Sequence, residues 1–154
     1  MIDMIAVQMD SAGVKEFMNR LLRDDILNVF EVRGIEMTIN TRMSIDGALI
    51  TSENGPQGFI SWEALRPLLF AIIKTGAKPR QIKIIFSFKA EEVKEIHPNA
   101  AALFLNMIYE NDNVNFTTAT AQKEFSLEKS LDDTWDEWVR GFFNEKNITV
   151  TDRE

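Results

Sequence analysis

The sequence predicts an α+β fold in which three helices pack on a mainly antiparallel sheet of about six strands. Several short segments alternate apolar and polar residues, which is the period of a half-buried strand. These segments follow one another across short turns, as antiparallel hairpins do. Three longer segments repeat apolar residues at helical spacing. The predicted order is β-α-β-β-(β)-α-β-β-β-α.

The composition is that of one average soluble domain. The chain has 154 residues, of which 45% are hydrophobic and 27% charged, and a chain of this length can bury a core of its own. We expect a single domain over residues 1–148 and a partly ordered tail over 149–154. No apolar run reaches the roughly 20 residues of a membrane span. The absence of cysteine fits a cytoplasmic protein.

The first predicted elements are a strand and a helix. "MIAVQM" is a short apolar strand, and it carries no basic region of a secretory signal. Asp10 or Ser11 can then cap a helix, because a short side-chain oxygen accepts hydrogen bonds from the first turn. Apolar residues from Val14 to Leu22 recur at helical spacing, which predicts a helix over about 12–23.

Strands follow this helix. Phe30 and Val32 alternate with charged residues, and the alternation restarts after Gly34 with a change of phase. That change indicates a turn or a β-bulge. Asp46-Gly47 is a dipeptide favoured in two-residue hairpin turns, so we expect a hairpin there.

A second helix is predicted after the loop "TSENGPQG" at 51–58. Ser61 can cap it, and Pro67 predicts that it starts near this residue or bends there. The segment "WEALRPLLFAIIKTG" leaves little polar face. A helix that is apolar on most sides is buried on most sides. We therefore expect helix 62–75 either at the centre of the fold or in a homodimer interface.

The second half of the chain predicts more sheet and a last helix. "QIKIIFSF" alternates cleanly, and "AEEVKEIHP" is a possible short helix that Pro98 stops. Strands at 102–109 and 114–120 flank a turn, which predicts a hairpin. "KEFSL" is expected to continue that sheet. The last helix is expected over about 131–145.

The acidic segment "SLDDTWDEWVRGFF" at 130–143 is the first candidate for chemistry. Its large apolar residues form one helical stripe, and Asp132 and Asp133 suit the positive end of a helix dipole. Asp136 and Glu137 are expected on the opposite side. We interpret the segment as a packing helix. The alternative is a carboxylate- or metal-dependent enzyme that uses Asp132, Asp136, Glu137 or His97.

Several kinds of site are excluded or lack support. The chain has no cysteine and one histidine, which excludes thiolate sites and multi-histidine zinc sites. Ser87, His97 and an aspartate could formally make a triad, but no nucleophile motif supports one. No glycine-rich phosphate loop is present. We predict no catalytic, cofactor-binding or metal-binding residue, and we expect no cofactor.

The predicted solvent side of the sheet is the most suggestive surface. It is polar and mildly basic in a chain of net charge −7, and a peptide, a small polar ligand or an oligonucleotide could bind there. The net charge makes nucleic acid the least favoured of these. The alternative is an ordinary wet sheet face without the exposed aromatics of single-strand platforms. The residues of this predicted polar face are Thr38, Asn40, Arg42, Lys83, Ser87, Asn115 and Thr117.

Four segments carry a family resemblance: "SIDG", "WEALRPLLFAIIKTGAKP", "LFLNMIYENDNV" and "FSLEKSLDDTWDEWVRGFF". Together they resemble an uncharacterised protein family of Firmicutes bacteria, a domain of unknown function. The resemblance implies a bacterial cytoplasmic protein and carries no activity. The tandem helix-plus-strands order also loosely resembles a sliding DNA clamp domain. Clamps line their DNA-facing helices with lysine and arginine, whereas helix 131–145 is acidic.

The leading functional hypothesis is a noncatalytic domain that binds a protein or small ligand and forms a homodimer through helix 62–75. The alternatives are the carboxylate- or metal-dependent enzyme and a nucleic-acid-associated protein. The latter would use Arg42, Lys83 and their neighbours, and its binding would be sensitive to salt.

Overall fold

The computed structural model describes residues 6–9, 11–51, 55–75 and 78–152. These residues form nine strands, four α-helices and one 3-10 turn. The elements in chain order are β1 (Ala6–Met9), α1 (Ser11–Arg23), β2 (Phe30–Thr38), β3 (Arg42–Asp46), β4 (Ala48–Thr51), β5 (Gly55–Phe59), α2 (Trp62–Thr75), β6 (Gln81–Phe88), the 3-10 turn Ala90–Glu92, α3 (Val93–Ile96), β7 (Ala100–Glu110), β8 (Asn113–Gln122), α4 (Ser130–Glu145) and β9 (Val150–Asp152).

Seven of the strands form one sheet in the order β3-β2-β6-β7-β8-β1-β9. Every described pairing in this sheet is antiparallel. Strands β4 and β5 pair with each other in a separate hairpin. The predicted α+β class with a mainly antiparallel sheet is therefore confirmed, and the numbers of strands and helices are close to those predicted.

Helices α1, α2 and α4 cover one face of the sheet. Alternate residues of each central strand point into this layer; on β6 these are Ile82, Ile84, Phe86 and Phe88, all buried. Phe30 lies at the centre of an aromatic cluster, with ring centroids 5.5 Å from Phe142 and 5.7 Å from Phe86. Phe142 meets Phe30 edge-to-face at 84°, an arrangement that adds about 0.5–1.5 kcal/mol to the burial of the rings, whereas Phe86 is tilted at 47°. The other face of the sheet, which we call the open face, carries no helix of the described chain.

Two predicted local features, the bulge in β2 and the Ser61 cap, are confirmed. The register of β2 against β6 shifts between Val32 and Gly34, which is the predicted bulge. The hydroxyl of Ser61 accepts a hydrogen bond from the N–H of Ala64 and caps α2. The helix begins at Trp62, well before Pro67. No helix of the described residues is both long enough and apolar enough to cross a membrane.

Three predicted features of the fold are wrong. The loop predicted at 51–58 is partly strand, since β4 ends at Thr51 and β5 begins at Gly55. Asp46-Gly47 does not turn a hairpin: β3 pairs with β2 and β4 with β5, and Asp46 Oδ1 accepts a hydrogen bond from the N–H of Ala48. Gly47 instead lies against the backbone of Val32. The segment "KEFSL" does not extend the sheet, because β8 ends at Gln122.

The Gln122 side chain explains why the strand ends there. It donates a hydrogen bond to the carbonyl of Ser126 and accepts one from the same residue's N–H. Asn99 makes a similar pair of hydrogen bonds with the backbone of Glu124. These bonds hold an irregular segment in which Phe125 and Leu127 remain 84% and 85% exposed. Of the predicted tail, residues 150–152 form β9, and 153–154 lie outside the described residues.

Candidate ligand-binding cleft

Two carboxylates of the acidic helix α4 accept hydrogen bonds from threonines of strand β8. The Thr120 hydroxyl donates to Asp132, and the Thr118 hydroxyl donates to Asp136 at 2.6 Å. The prediction that Asp136 lies on the side opposite the apolar stripe is therefore wrong. Glu137 is exposed, as expected. Asp132 and Asp136 therefore form helix-to-sheet contacts, since a threonine hydroxyl beside a half-buried carboxylate satisfies both groups.

The tryptophans of α4 pack as the stripe predicts. Trp135 is fully buried, and its Nε1–H donates to the carbonyl of Phe104 at 2.9 Å. Its ring stacks on that of Trp138 with centroids 5.1 Å apart, and Trp138 stacks in turn on Phe142 at 5.3 Å. Trp138 is half-buried. The stripe is a structural feature, because it fills the space between the helix and the aromatic side of the sheet.

His97 links α3 to the start of α4. Its Nδ1 accepts a hydrogen bond from the N–H of Asn99 at 3.1 Å, and its Nε2 lies 2.9 Å from the hydroxyl of Ser130. In the neutral ring the proton is then on Nε2, which donates to Ser130. A catalytic triad needs the opposite arrangement, with Nε2 accepting from the serine. The Ser130–His97 contact is thus a tie between elements.

The alternative for Asp132, Asp136, Glu137 and His97 was a metal or acid/base pocket. The described residues contain no group of three or more His, Asp or Glu side chains that could hold a metal ion. Asp132, Asp136, Glu137 and His97 line none of the five cavities described for this part of the chain. None of these five cavities is therefore built from the residues that the enzyme alternative would use.

The predicted polar face is spread across the open face of the sheet. Thr38 and Arg42 are direct partners in the β2–β3 pair, and Asn40 lies in the bend between these strands. Lys83 and Ser87 lie on β6, whereas Asn115 and Thr117 lie on β8.

Strand β7 separates these two groups. Phe104 pairs with Ser87, and Ile108 lies between Lys83 and Asn115 in the register. Both β7 side chains are apolar and half-buried. The seven residues therefore lie on one side of the sheet, but they do not form a continuous polar surface, and Ser87 is fully buried.

Arg33 also lies on this open face, and it was not predicted as a site residue from the sequence. The β2 bulge contains Arg33, whose Nε donates to the hydroxyl of Ser87 at 3.2 Å. Its guanidinium lies 3.9 Å from the ring centroid of Phe59 and 5.1 Å from that of Phe104. Such cation–π contacts favour arginine over other residues. Burial lowers the pKa of Arg33, and burial together with Glu91 raises the pKa of Glu31.

One cavity among the described residues is a cleft between the helices and one end of the sheet. We call it the α1–α2 cleft, and its volume is about 500 Å³. This volume is within the range of small-ligand pockets, which are mostly apolar with a few polar groups. Its lining residues are Val14, Lys15, Met18, Asn19, Leu22, Ile73, Lys78, Pro79, Ile82, Tyr109 and Asp112.

A second cavity of about 740 Å³, which we call the polar mouth, adjoins this cleft. The two share Lys78, Pro79, Tyr109 and Asp112, so they border on each other at these residues. The polar mouth adds two members of the predicted polar face and several further residues. The added residues are Thr38, Arg42, Arg80, Gln81, Glu110 and Asn111.

A three-residue polar contact lies where the two cavities meet. Lys78 Nζ is 2.5 Å from Asp112 Oδ1, and the Tyr109 hydroxyl donates to the same oxygen at 3.3 Å. The hydrogen bond from Lys78 lowers the pKa of Asp112, and burial raises the pKa of Tyr109. At neutral pH this contact therefore presents a charged lysine, a carboxylate and a neutral phenol. It can orient a polar group, and none of its members has a pKa moved toward neutrality.

The sequence contained only a partial signal for this contact. The β7–β8 turn was predicted, and Asn111 and Asp112 adopt the positive φ values of 55° and 60° that such a turn requires. Lys78 lies 34 residues away from Asp112 in the chain. Only the antiparallel pairing of β6 with β7 brings the lysine to the turn, and no local pattern encodes that pairing.

A family model agrees with the resemblance drawn from the sequence. The model of DUF5721, a family of unknown function, matches residues 20–151. The chain belongs to this family. The DUF5721 match begins within α1 and ends in β9, so it includes the polar mouth and the Lys78–Asp112 pair. It leaves out Val14, Lys15, Met18 and Asn19 of the cleft. No curated protein and no solved structure matches the chain.

Proposed function

We propose that this DUF5721 protein is a noncatalytic binding domain whose ligand occupies the α1–α2 cleft. The observation that carries the proposal is that an apolar cleft of about 500 Å³ borders on a polar mouth and shares Lys78, Tyr109 and Asp112 with it. A pocket with an apolar body and a few convergent polar groups is the usual form of a small-molecule site. We place this protein in the cytoplasm, in keeping with its lack of cysteine.

The polar groups of the cleft favour binding over catalysis. General acid–base catalysis is most efficient when the catalytic pKa is near the working pH. Here the pKa of Asp112 is lowered and that of Tyr109 raised, so both move away from neutrality. An ion pair beside a buried phenol is better suited to fixing the orientation of a ligand than to moving protons.

Binding of small fragments can test whether the cleft is a ligand site. A set of small apolar, acidic and basic fragments is added to the isotopically labelled protein, and amide shifts are measured by NMR. Bound fragments should shift the resonances of Val14, Leu22 and Ile82, which line the cleft. Met18→Trp should abolish these shifts by occupying the cleft, whereas Glu137→Trp adds the same ring at an exposed site on α4. Shifts that occur only elsewhere, or persist in Met18→Trp, would refute the proposal.

Self-association through α2 is a second proposal, carried by a different observation. The buried face of α2 includes Trp62, Leu65 and Leu69, but a second apolar stripe faces away from the core. Leu68 is 52% exposed, and its exposed neighbours on the stripe are Ala64, Pro67 and Ala71.

A second copy of α2 would complement this stripe. In an antiparallel α2–α2′ pair centred on Leu68, Glu63 of each copy lies near Lys74 of the other, so the charges match. Sedimentation should show a dimer that Leu68→Glu dissociates, with Leu127→Glu as a control at another exposed leucine. A monomer at micromolar concentration would refute this proposal.

Nucleic-acid binding receives less support from the open face. Lys83 pairs in the register with Glu36, and Arg42 shares the polar mouth with Glu110. Phosphate backbones are bound by neutralising their charge with lysine and arginine. The alternation of charges on this face, in a chain of net charge −7, offers little neutralisation.

A further inference from the structure

We infer that the α1–α2 cleft binds an amphiphile, with an unbranched apolar chain along α1 and an acidic head group at the polar mouth. The inference rests on the proposed function and adds the chemical class of the ligand. The acidic group is a carboxylate or a phosphate monoester, because both present several negatively charged acceptor oxygens.

The apolar part of the cleft is a strip of side chains along α1. Val14, Met18 and Leu22 follow one another at i, i+4 and i+8 on α1, so they form a strip about 12 Å long at 1.5 Å per residue. Ile73 of α2 and Ile82 of β6 line the cleft with them. Met18, Leu22 and Ile73 are half-buried, so each still has apolar surface to contribute. A linear hydrocarbon chain matches a strip of this form, and the gain comes from removing apolar surface from water.

The cleft and the polar mouth together have an excess of positive charge. The two cavities together contain four cationic side chains, Lys15, Arg42, Lys78 and Arg80, and two anionic ones, Glu110 and Asp112. Two positive charges are therefore in excess, although the whole chain has a net charge of −7. An apolar strip that ends in local positive charge complements a ligand that is apolar at one end and anionic at the other.

Some charged side chains of the two cavities already form an ion pair, and others do not. Asp112 is held by Lys78 at 2.5 Å and by Tyr109 at 3.3 Å. Within the ranges that the structure describes, the side chains of Arg42 and Arg80 form no ion pair. An arriving head group therefore meets two cations, Arg42 and Arg80, beside one carboxylate, Glu110, while Asp112 is already paired with Lys78. Arginine is the side chain best suited to hold carboxylate and phosphate groups through two parallel hydrogen bonds.

The test compares probes that share a chain and differ in the head group. Octanoate, octyl phosphate and octanol are titrated into the labelled protein, and dissociation constants are taken from the amide shifts of Val14, Leu22 and Ile82. Octanoate or octyl phosphate should bind at least about tenfold more tightly than octanol, as expected for hydrogen bonds to charged groups. The preference should fall as salt is added, because the head-group interaction is partly solvent-exposed.

Matched variants locate the head group. Arg80→Gln should weaken the binding of octanoate and leave that of octanol unchanged. Lys94→Gln, which removes an exposed cation from α3, should change neither. A separate arm mixes the protein with vesicles containing phosphatidylglycerol. Binding to vesicles without binding of monomeric octanoate would mean that a lipid surface, and not one amphiphile in the cleft, is recognised, and it would overturn the inference.

The remaining outcomes separate this inference from the proposed function. Equal affinities for octanol and octanoate, with shifts in the cleft, would refute the acidic head group and leave the binding cleft standing. If neither these probes nor the fragments shift cleft resonances, both proposals fail. If the same amides shift with protein concentration alone, a second copy of the chain occupies the cleft, and the amphiphile is ruled out.

Discussion

The close approach of Gly47 to β2 makes a sharp prediction about stability. A Cβ atom at Gly47 would lie 1.8 Å from the carbonyl oxygen of Val32 and 2.8 Å from its carbonyl carbon. Both are main-chain atoms of a core strand, so they cannot swing aside as the end of a side chain could. In Gly47→Ala the two segments must separate by about 1.6 Å to restore an ordinary contact of 3.4 Å.

The cost of that separation follows from the hydrogen bonds at this point. The N–H of Gly47 donates to the carbonyl of Arg33 at 3.0 Å, and the N–H of Ile60 donates to the carbonyl of Gly47 at 2.8 Å. A buried hydrogen bond that is lost without replacement costs about 1–3 kcal/mol. Loss of both bonds therefore predicts a decrease of about 2–6 kcal/mol in the free energy of unfolding, a large part of the total for a domain of this size.

Urea denaturation followed by tryptophan fluorescence measures this decrease. Gly141→Ala is the matched control, since Gly141 is exposed on α4 and a Cβ there meets no atom within 4 Å. In a helix, alanine is favoured over glycine by up to about 1 kcal/mol, so the control should be slightly more stable. A cooperative Gly47→Ala protein within about 1 kcal/mol of wild type would refute the reasoning.

Two further predictions concern buried groups. Trp135→Phe removes a hydrogen bond to Phe104, whereas the Nε1–H of Trp62 has no acceptor among the described residues. In urea denaturation, Trp135→Phe should therefore lower the free energy of unfolding by about 1–2 kcal/mol more than Trp62→Phe does, and equal decreases would contradict this. Burial, together with Glu91, raises the pKa of Glu31 above 4.5, so its stabilising contribution is complete below 4.5 and is lost as pH rises through the folded-state pKa. Glu31→Gln should therefore have a higher melting temperature than wild type at pH 7, by a margin that shrinks toward pH 4.5, and a margin independent of pH would argue against this explanation.

The helices and central strands could be predicted because their signals are local. Helix α1 and helix α4 begin within a residue or two of their predicted starts, since the helical spacing of buried residues is set by the element itself. The prediction of a hairpin at Asp46-Gly47 was wrong because the role of Gly47 depends on contacts that are not local. A dipeptide fits many turns, and the need for glycine at 47 comes from a strand that crosses it in space.

The candidate site could be predicted only in part. Thr38 and Arg42 were nominated from strand alternation, and both line the polar mouth. The apolar cleft was missed, because Leu22 and Ile82 read as core residues when each is considered on its own element. Lys78 and Tyr109 were also missed, since they meet only through the pairing of β6 with β7.

The position of β1 in the sheet has a consequence for folding. Val7 of this strand pairs with Phe116 on one side and with Asp152 on the other, so both neighbours come from much later in the chain. Contacts between residues so distant in sequence slow folding, because a long loop must close before they form. During synthesis the β2–β3 pair can form early, whereas β1 must wait for almost the whole described chain. We expect β1 and β9 to join the sheet last, and their amides to exchange hydrogen for deuterium sooner than those of β6 and β7.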